Sequence, residues 1–358
     1  MIREELAKRN LPYPAAMRGE GRLSPEEWES CRAELKELLC RYEYGALPTP
    51  PDALSAEIFE ERADYCAGKA ILRRVRLTVS LCGREFSFPF TYVLPRAEKP
   101  VPAVVFVNFR PDVPDEYLPT EEICDSGAAV ASFYYEDVTA DNGDFGSGLA
   151  GVWYQGRERA AGDPGKIAFW AWAAMRVLDW LRARPEIDPM RIAVAGHSRL
   201  GKTALFAGAM DERFCAAYSN NSGCGGAALS RGKVGESVAR ITEVFPFWFC
   251  PDFAGFAGRE EALPFDQHAL LALMAPRLLY VASAAEDGWA DPASEFLGCA
   301  AASRAWELLG GQGLIAPDRL PQVGDTFHAG SIGYHLRAGT HSLSRYDWGR
   351  FLEFWLQK

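Results

Sequence analysis

The sequence of 358 residues lacks the features that mark metal-binding, membrane-spanning and nucleic-acid-binding proteins. No two cysteines have C-x-x-C spacing and the five histidines form no H-x-x-x-H pattern, so a structural metal is not expected. No apolar run approaches the roughly 20 residues that a membrane-spanning helix needs. The net charge of −10 and the pI near 5.2 argue against a nucleic-acid partner, because phosphate backbones bind basic surfaces.

The cysteines and the first residues bear on the compartment in which the protein works. The nine cysteines are odd in number and scattered from Cys31 to Cys299, which is not the distribution of a disulfide framework. Cys224 and Cys250 are expected to be small buried residues, with a bridge between them as the alternative. The first eight residues lack the apolar core of a secretory signal. If they are the native start, the sequence predicts a cytoplasmic protein.

The composition is that of a globular protein that can bury a sizeable core, with 48% hydrophobic and 24% charged residues. No repeat, low-complexity segment or linker interrupts the chain, so we expect a single domain over residues 1–358. Residues 1–52 are expected to form a helical extension packed on it. Ser24-Pro25-Glu26-Glu27 has the signature of a helix start, and apolar residues follow at helical spacing as far as Tyr44.

The apolar pattern then predicts a sheet of two kinds. Alternation from about 54 to 93 indicates antiparallel strands at a sheet edge. Continuous apolar runs, typical of strands buried on both faces, follow at 103–109, 128–135 and 192–195. The Gly- and Asp-rich stretch 139–162 is predicted to be a loop, and 166–184 a helix. We therefore predict an α/β fold with a mostly parallel central sheet, helices on both faces and antiparallel N-terminal edge strands.

One of these strands enters a helix through Gly196-His197-Ser198, which is the context of a nucleophile elbow. A serine there lies on a strained turn, and the following backbone N–H is free to hold an oxyanion. The stretch departs from the G-x-S-x-G pattern, because Leu200 occupies the last position and the glycine follows at Gly201. The alternative is a structural turn whose serine caps the helix.

Two later loops supply partners for this serine in the order found in α/β hydrolases. In that fold the acid and then the histidine follow the nucleophile, each on a loop after a later strand. Asp287 follows the strand that ends near 283, and His341 lies in the last loop before the final helix. We predict the triad Ser198–His341–Asp287, with Glu286 or Asp291 as alternative acids. The other four histidines are expected to be structural.

An ordered set of motifs surrounds these residues. The elbow reads Gly196-His-Ser-Arg-Leu-Gly-Lys202, and further motifs stand at 219–226, 235–236, 248–250, 264–268, 286–292 and 339–341. Together they resemble the glucuronoyl esterases, carbohydrate esterase family 15, and their bacterial relatives. The resemblance implies an α/β-hydrolase fold and a serine carboxylesterase without cofactor or metal. It also implies a small carbohydrate ester as substrate, an alkyl or aryl ester of (4-O-methyl-)glucuronic acid cleaved through an acyl-enzyme.

The resemblance assigns roles to individual residues. Ser198 is the nucleophile, His341 the base and Asp287 the acid, and the Arg199 guanidinium joins the oxyanion hole. The residues that it places at the substrate are Lys202, Glu236, Trp289, Asn221 and Gln267. Asn221 stands where many members of the family have a glutamate as acid, so that role falls on Asp287 alone.

The sequence leaves alternatives open for the roles of single residues and for the function of the whole protein. As single residues, Arg199, Lys202 and Glu236 are also consistent with solvated charges, and Trp289 with a core position. As a whole, the protein is also consistent with an acetyl xylan or acetyl-oligosaccharide esterase. An alternative of another class is a non-catalytic carbohydrate-binding protein on a hydrolase fold. The sequence does not decide the oligomeric state.

Overall fold

A continuous central sheet organises the chain in the computed structural model, which describes residues 1–19 and 21–358. Its strands are β1 (Ala53–Tyr65), β2 (Ala70–Leu81), β3 (Arg84–Pro95), β4 (Val101–Asn108), β5 (Ala129–Tyr134), β6 (Ile187–His197), β7 (Ala216–Asn220), β8 (Leu278–Ala284), β9 (Thr326–Phe327) and β10 (Ile332–Arg337). Their spatial order across these described residues is β1-β2-β3-β5-β4-β6-β7-β8-β10-β9.

The centre of the sheet is parallel and both of its edges are antiparallel. Neighbouring strands from β5 through β4, β6, β7 and β8 to β10 run parallel. β1, β2 and β3 form successive antiparallel pairs, and β9 pairs antiparallel with β10. Most of β1 is exposed, whereas β4 and β5 are buried almost throughout. The predicted α/β fold with antiparallel N-terminal edge strands is confirmed.

Helices cover both faces of the sheet. They are α1 (Ile2–Arg9), α2 (Pro25–Leu39), α3 (Thr120–Asp125), α4 (Gly148–Tyr154), α5 (Lys166–Arg182), α6 (Arg199–Met210), α7 (Val238–Val244), α8 (Gln267–Ala272), α9 (Pro292–Leu308) and α10 (Arg345–Leu356). Apolar side chains of α5, α6 and α9 build the core on one face. On the other face, α10 contributes Trp348, Phe351 and Trp355 to a second core beside α3. The apolar side chains that α5, α6 and α10 bury hold these helices on the sheet.

The N-terminal helices lie on the outside of the first helical layer. Contacts join α1 to α9 and α2 to α8, so the segment before β1 rests on helices rather than on the sheet. A capping box at Ser24 and Glu27 begins α2, as the sequence predicts. In the part of the chain that the structure describes, no helix has the length and apolar character needed to cross a membrane.

The stretch 139–162 is not a loop throughout, because α4 occupies residues 148–154. Leu149, Ala150 and Tyr154 of α4 are buried against the core, and this burial fixes a helix in a segment whose glycine content disfavours one. Cys224 and Cys250 are both buried free thiols, so the alternative of a bridge between them is not realised.

Candidate active site

The turn between β6 and α6 holds Ser198 in a strained conformation. Its φ of 58° and ψ of −127° lie outside the regions that a residue with a side chain usually adopts. A Cβ on Gly196 would lie 2.1 Å from the Leu200 carbonyl oxygen, and one on Gly201 would lie 3.2 Å from the Gly196 carbonyl oxygen. The helix thus returns so closely over the strand that glycine is required at 196 and favoured at 201. This geometry is that of a nucleophile elbow.

His341 and Asp287 meet beside this elbow. His341 Nδ1 lies 2.6 Å from Asp287 Oδ2, and the Ala290 N–H donates to Asp287 Oδ1 at 3.2 Å. Asp287 is buried, whereas the His341 side chain is 41% exposed. Burial raises the pKa of Asp287, but the hydrogen bond and the charge of His341 outweigh it and hold that pKa below its ordinary value. Asp287 therefore stays ionised and orients the imidazole.

The two alternative acids are engaged elsewhere. Asp291 caps α9, where its carboxylate accepts from the Ser294 N–H at 3.1 Å and from the Ser294 hydroxyl at 2.6 Å. Glu286 accepts from the Gly339 N–H at 3.1 Å and is exposed. Neither carboxylate is hydrogen-bonded to His341, so the geometry favours Asp287 as the acid.

The remaining histidines have structural partners. His197 is buried with its Nδ1 2.6 Å from Asn220 Oδ1, and burial lowers its pKa to about 3. His268 Nε2 lies 3.0 Å from the Pro12 carbonyl oxygen. Both His328 and His335 are hydrogen-bonded to the Tyr280 hydroxyl. None of these four side chains is hydrogen-bonded to Ser198 within the described residues.

Ser198, His341 and Asp287 line one cavity of about 460 Å³, which we call the polar cavity. It is also lined by the predicted substrate residues Arg199, Lys202, Asn221, Glu236 and Trp289, together with Ser222, Gly223, Phe245, Trp248 and Ala290. The structure therefore brings together every site residue predicted from the sequence except Gln267.

The lining of the polar cavity includes a buried lysine and a buried glutamate. Lys202 Nζ donates to the Ser222 carbonyl oxygen at 2.5 Å and lies 3.9 Å from Glu236 Oε2. Both side chains are almost fully inaccessible to solvent, so neither is the solvated charge that the sequence left as an alternative. Trp289 is 52% exposed at the rim, which excludes a core position. A charged pair under an aromatic rim suits a ligand with hydroxyl groups and an apolar face.

Gln267 lies outside the polar cavity because α8 carries it into the core behind the site. Its Nε2 donates to both carboxylate oxygens of Glu43, at 2.9 and 3.0 Å, and the side chain is fully buried. Burial raises the pKa of Glu43 to about 8. The structure thus gives Gln267 a buried carboxyl group as its partner and not a substrate.

Arg199 follows the nucleophile and offers two kinds of donor. As the first residue of α6 it has a backbone N–H without a partner inside the helix, as an oxyanion hole requires. Its guanidinium forms an ion pair with Asp141 and lies 4.7 Å from the centre of the Trp248 ring. Arg199 lines the polar cavity together with Ser198.

A second cavity of about 390 Å³ meets the polar cavity at the triad, and we call it the aromatic cavity. The two share Ser198, Arg199 and His341. The remaining lining residues are mostly aromatic: Phe109, Tyr117, Tyr134, Tyr135, His197 and Arg110. The elbow serine therefore lies at the junction of a polar and an aromatic compartment.

A further residue that is not predicted from the sequence, Asp141, lies beside the site without lining either cavity. Its Oδ1 accepts from Trp248 Nε1 at 2.6 Å, and its Oδ2 bonds Arg199. The Trp248 motif signals that the tryptophan lies near the site. Nothing in the local pattern around Asp141 distinguishes it from the other acidic residues of its stretch.

Comparison with known proteins identifies relatives along almost the whole chain. A family model described as "Glucuronyl esterase, fungi" matches residues 77–310. The chain is 33% identical to a carbohydrate esterase from an unknown prokaryotic organism, across 98% of this chain and 90% of that protein. It is 31% identical to a 4-O-methyl-glucuronoyl methylesterase of Podospora anserina, across 80% of this chain and 57% of that protein. A solved glucuronoyl esterase from Solibacter usitatus superposes with a TM-score of 0.86 at 33% identity, covering 96% of this chain and 98% of that one. The chain, a carboxylic ester hydrolase, therefore belongs to the glucuronoyl esterases of carbohydrate esterase family 15.

Proposed function

We propose that the protein hydrolyses esters of glucuronic acid or 4-O-methyl-glucuronic acid, with the sugar in the polar cavity and the alcohol in the aromatic cavity. The observation that carries the proposal is that Ser198, Arg199 and His341 line both cavities. A bond that joins a sugar carboxylate to an alcohol then lies at the nucleophile, with its two parts in different compartments.

The reaction uses an acyl-enzyme in two steps. Because Asp287 engages Nδ1 of His341, Nε2 is the nitrogen that takes the proton from the Ser198 hydroxyl as its oxygen attacks the ester carbon. The bond from that carbon to the alcohol oxygen then breaks, and His341 returns the proton to the leaving alcohol. In the second step, water loses a proton to His341 and attacks the acyl carbon. The bond from that carbon to the Ser198 oxygen then breaks, His341 returns the proton to this oxygen, and the uronate leaves. The Arg199 backbone N–H and guanidinium stabilise the oxyanion of both steps.

The polar cavity suits the sugar part. Lys202 and Glu236 supply a donor and an acceptor within 3.9 Å of each other, a spacing that matches neighbouring hydroxyl groups of a pyranose. The exposed ring of Trp289 offers a flat apolar face to the ring of the sugar. An acetyl group would leave these groups without a partner, which favours a uronate over an acetate as the acyl part.

The aromatic cavity suits an alcohol that carries a ring. Phe109, Tyr117, Tyr134 and Tyr135 present aromatic surface to its interior. Aromatic pairs stabilise a contact by about 0.5–1.5 kcal/mol beyond the burial of area. We therefore expect an aryl-bearing alcohol to be accepted at least as well as methanol.

The test compares three substrates: methyl glucuronate, benzyl glucuronate and an acetylated xylo-oligosaccharide. We expect the wild type to cleave both glucuronate esters, with kcat/KM higher for the benzyl ester. Ser198→Ala should lose this activity, whereas the control Ser55→Ala on the exposed strand β1 should keep it. If only the acetylated xylo-oligosaccharide were cleaved, the proposal would be wrong and the protein would be an acetyl esterase. If no ester were cleaved and a fluorophosphonate did not label Ser198, the result would support the alternative of a non-catalytic carbohydrate-binding protein.

A further inference from the structure

The Arg199 guanidinium is confined by aromatic rings beside the nucleophile. Its central carbon lies 4.7 Å from the centre of the Trp248 ring, 5.4 Å from that of Phe109 and 5.6 Å from that of Phe245. These contacts attract the positive charge to the rings, but they offer no hydrogen-bond acceptor that would fix the orientation of the guanidinium. An arginine that serves an oxyanion must be fixed before the reaction, because reorganisation during the reaction weakens the stabilisation.

Asp141 supplies the contact that fixes this orientation. Its Oδ2 accepts from Arg199 Nη1 and, at 3.0 Å, from the Tyr135 hydroxyl, while its Oδ1 accepts from Trp248 Nε1 at 2.6 Å. Only 7% of the Asp141 side chain is exposed. Within residues 1–19 and 21–358, Asp141 is the one acceptor for the Arg199 side chain. One carboxylate therefore ties the arginine and the tryptophan to the same point.

The backbone that carries Asp141 is anchored on both sides by the first turns of α5. Lys166 Nζ donates to the Thr139 hydroxyl at 2.7 Å and to the Asp144 carbonyl oxygen. Trp170 Nε1 donates to the Thr139 carbonyl oxygen at 3.0 Å. Lys166 and Trp170 are both fully buried in the core. A loop held in this way transmits the rigidity of the helix to the carboxylate.

We propose that Asp141 is a positioning residue for this esterase, which holds the Arg199 guanidinium at the oxyanion and the Trp248 indole on the wall of the polar cavity. The inference rests on the proposed function, since it assigns Arg199 to the oxyanion. Asp141 lines neither cavity, so it acts on the substrate only through these two side chains. Its loss should lower kcat through Arg199 and also disturb the wall of the polar cavity.

The experiment is a double-mutant cycle with a spectroscopic readout. Asp141→Ala, Asp141→Asn, Arg199→Ala and the double variant Asp141→Ala/Arg199→Ala are compared on methyl glucuronate. We expect Asp141→Ala to lower kcat by roughly 10- to 100-fold, and the double variant to be no slower than Arg199→Ala alone. The control Glu158→Gln removes a charge from the same stretch 139–162 at an exposed side chain that accepts no hydrogen bond within the described residues, and its kcat should stay within about 2-fold of the wild type.

The indole N–H resonance of Trp248 in a ¹⁵N spectrum without substrate gives a second reading, assigned by its loss in Trp248→Phe. It should move in Asp141→Ala and Asp141→Asn, because the acceptor of that N–H is removed or exchanged, and stay in place in Glu158→Gln. A kcat of Asp141→Ala within about 2-fold of the wild type, or losses that multiply in the double variant, would overturn the inference. Should the wild type not cleave the ester, the proposed function fails. In that case the Trp248 resonance still tests the hydrogen bond between Asp141 and Trp248. A resonance that does not move in the Asp141 variants would refute this hydrogen bond. Asp141→Asn, nearly identical in shape, serves where the alanine variant does not fold.

Discussion

The hydrogen bond between Asp287 and His341 can be tested by a change that preserves the shape of the side chain. Asp287→Asn replaces the acceptor with an amide that can turn its NH₂ group toward the imidazole. His341 then favours the tautomer with its proton on Nε2, which cannot take the proton from Ser198. In the Ser-His-Asp proteases this substitution lowers kcat about 10⁴-fold. That factor equals about 5 kcal/mol of transition-state stabilisation.

We expect a fall of roughly 10³- to 10⁴-fold here, because the bond is 2.6 Å long and Asp287 is buried. The assay is kcat on methyl glucuronate at saturation and neutral pH. Asp291→Asn and Glu286→Gln are the matched controls. Asp291→Asn keeps the cap of α9 but replaces the oxygen that accepts from the Val234 N–H and the Ser294 hydroxyl, so it should cost about 1–3 kcal/mol of stability, with kcat within a few-fold of the wild type. A loss below 10-fold in Asp287→Asn, or an equal loss in either control, would refute the assignment.

Asp287→Asn should also change how the free energy of unfolding depends on pH. The pKa of Asp287 is lowered in the folded protein, chiefly because the interaction with His341 outweighs burial. A lowered carboxyl pKa stabilises the fold above the unfolded value near 3.9, and this contribution is lost as the pH falls through the folded value. The free energy of unfolding of the wild type should therefore fall relative to that of Asp287→Asn below about pH 4. A constant difference between pH 7 and pH 3 in urea unfolding would contradict the argument.

Three further predictions concern buried groups around the site. Lys202→Met leaves Glu236 buried without its partner and should lower the free energy of unfolding by about 3–5 kcal/mol. In thermal unfolding, the double variant Lys202→Met/Glu236→Gln should recover part of this loss. Gln267→Leu removes the donor to Glu43 and should cost about 1–3 kcal/mol with an unchanged KM, whereas a raised KM would indicate direct substrate contact. Burial raises the pKa of Glu295 to about 7. Between pH 4.5 and 7 the free energy of unfolding of the wild type should therefore fall by up to about 3 kcal/mol relative to that of Glu295→Gln. If urea unfolding gave the same pH dependence for both proteins, this prediction would be contradicted.

The proximity of Ser198, His341 and Asp287 could be predicted from the sequence because it depends on local and ordered constraints. A buried strand that enters a helix through glycine and serine leaves little choice of backbone, and the loops after later strands end at the same edge of a parallel sheet. Asp287 and His341 needed only the position of those strands. Where the sequence offered three acids, contacts decided among them, because Asp287 is hydrogen-bonded to His341 whereas Asp291 caps α9.

The hydrogen-bond partners of Asp141 and Gln267 could not be predicted from the sequence. Asp141 meets Arg199 across 58 residues of chain and Trp248 across 107, and no periodicity encodes such pairs. Gln267 stands in a motif that suggested substrate contact, but α8 turns its side chain toward Glu43, which lies 224 residues away. In both cases the partner of a polar side chain is set by the packing of distant elements.

Backbone strain at the site is compensated by the sheet itself. Ser198 and Asn221 have φ values of 58° and 46°, a region that costs a non-glycine residue about 1–3 kcal/mol. Each immediately follows a central strand, and each donates its N–H at 2.8 Å to the neighbouring strand, Ser198 to the Asn220 carbonyl and Asn221 to the Ala282 carbonyl. The parallel hydrogen-bond ladder thus continues one residue past the ends of β6 and β7. Because these bonds fix the two turns before a substrate arrives, Ser198 and Asn221, which both line the polar cavity, are held in place by the hydrogen bonds of the central sheet.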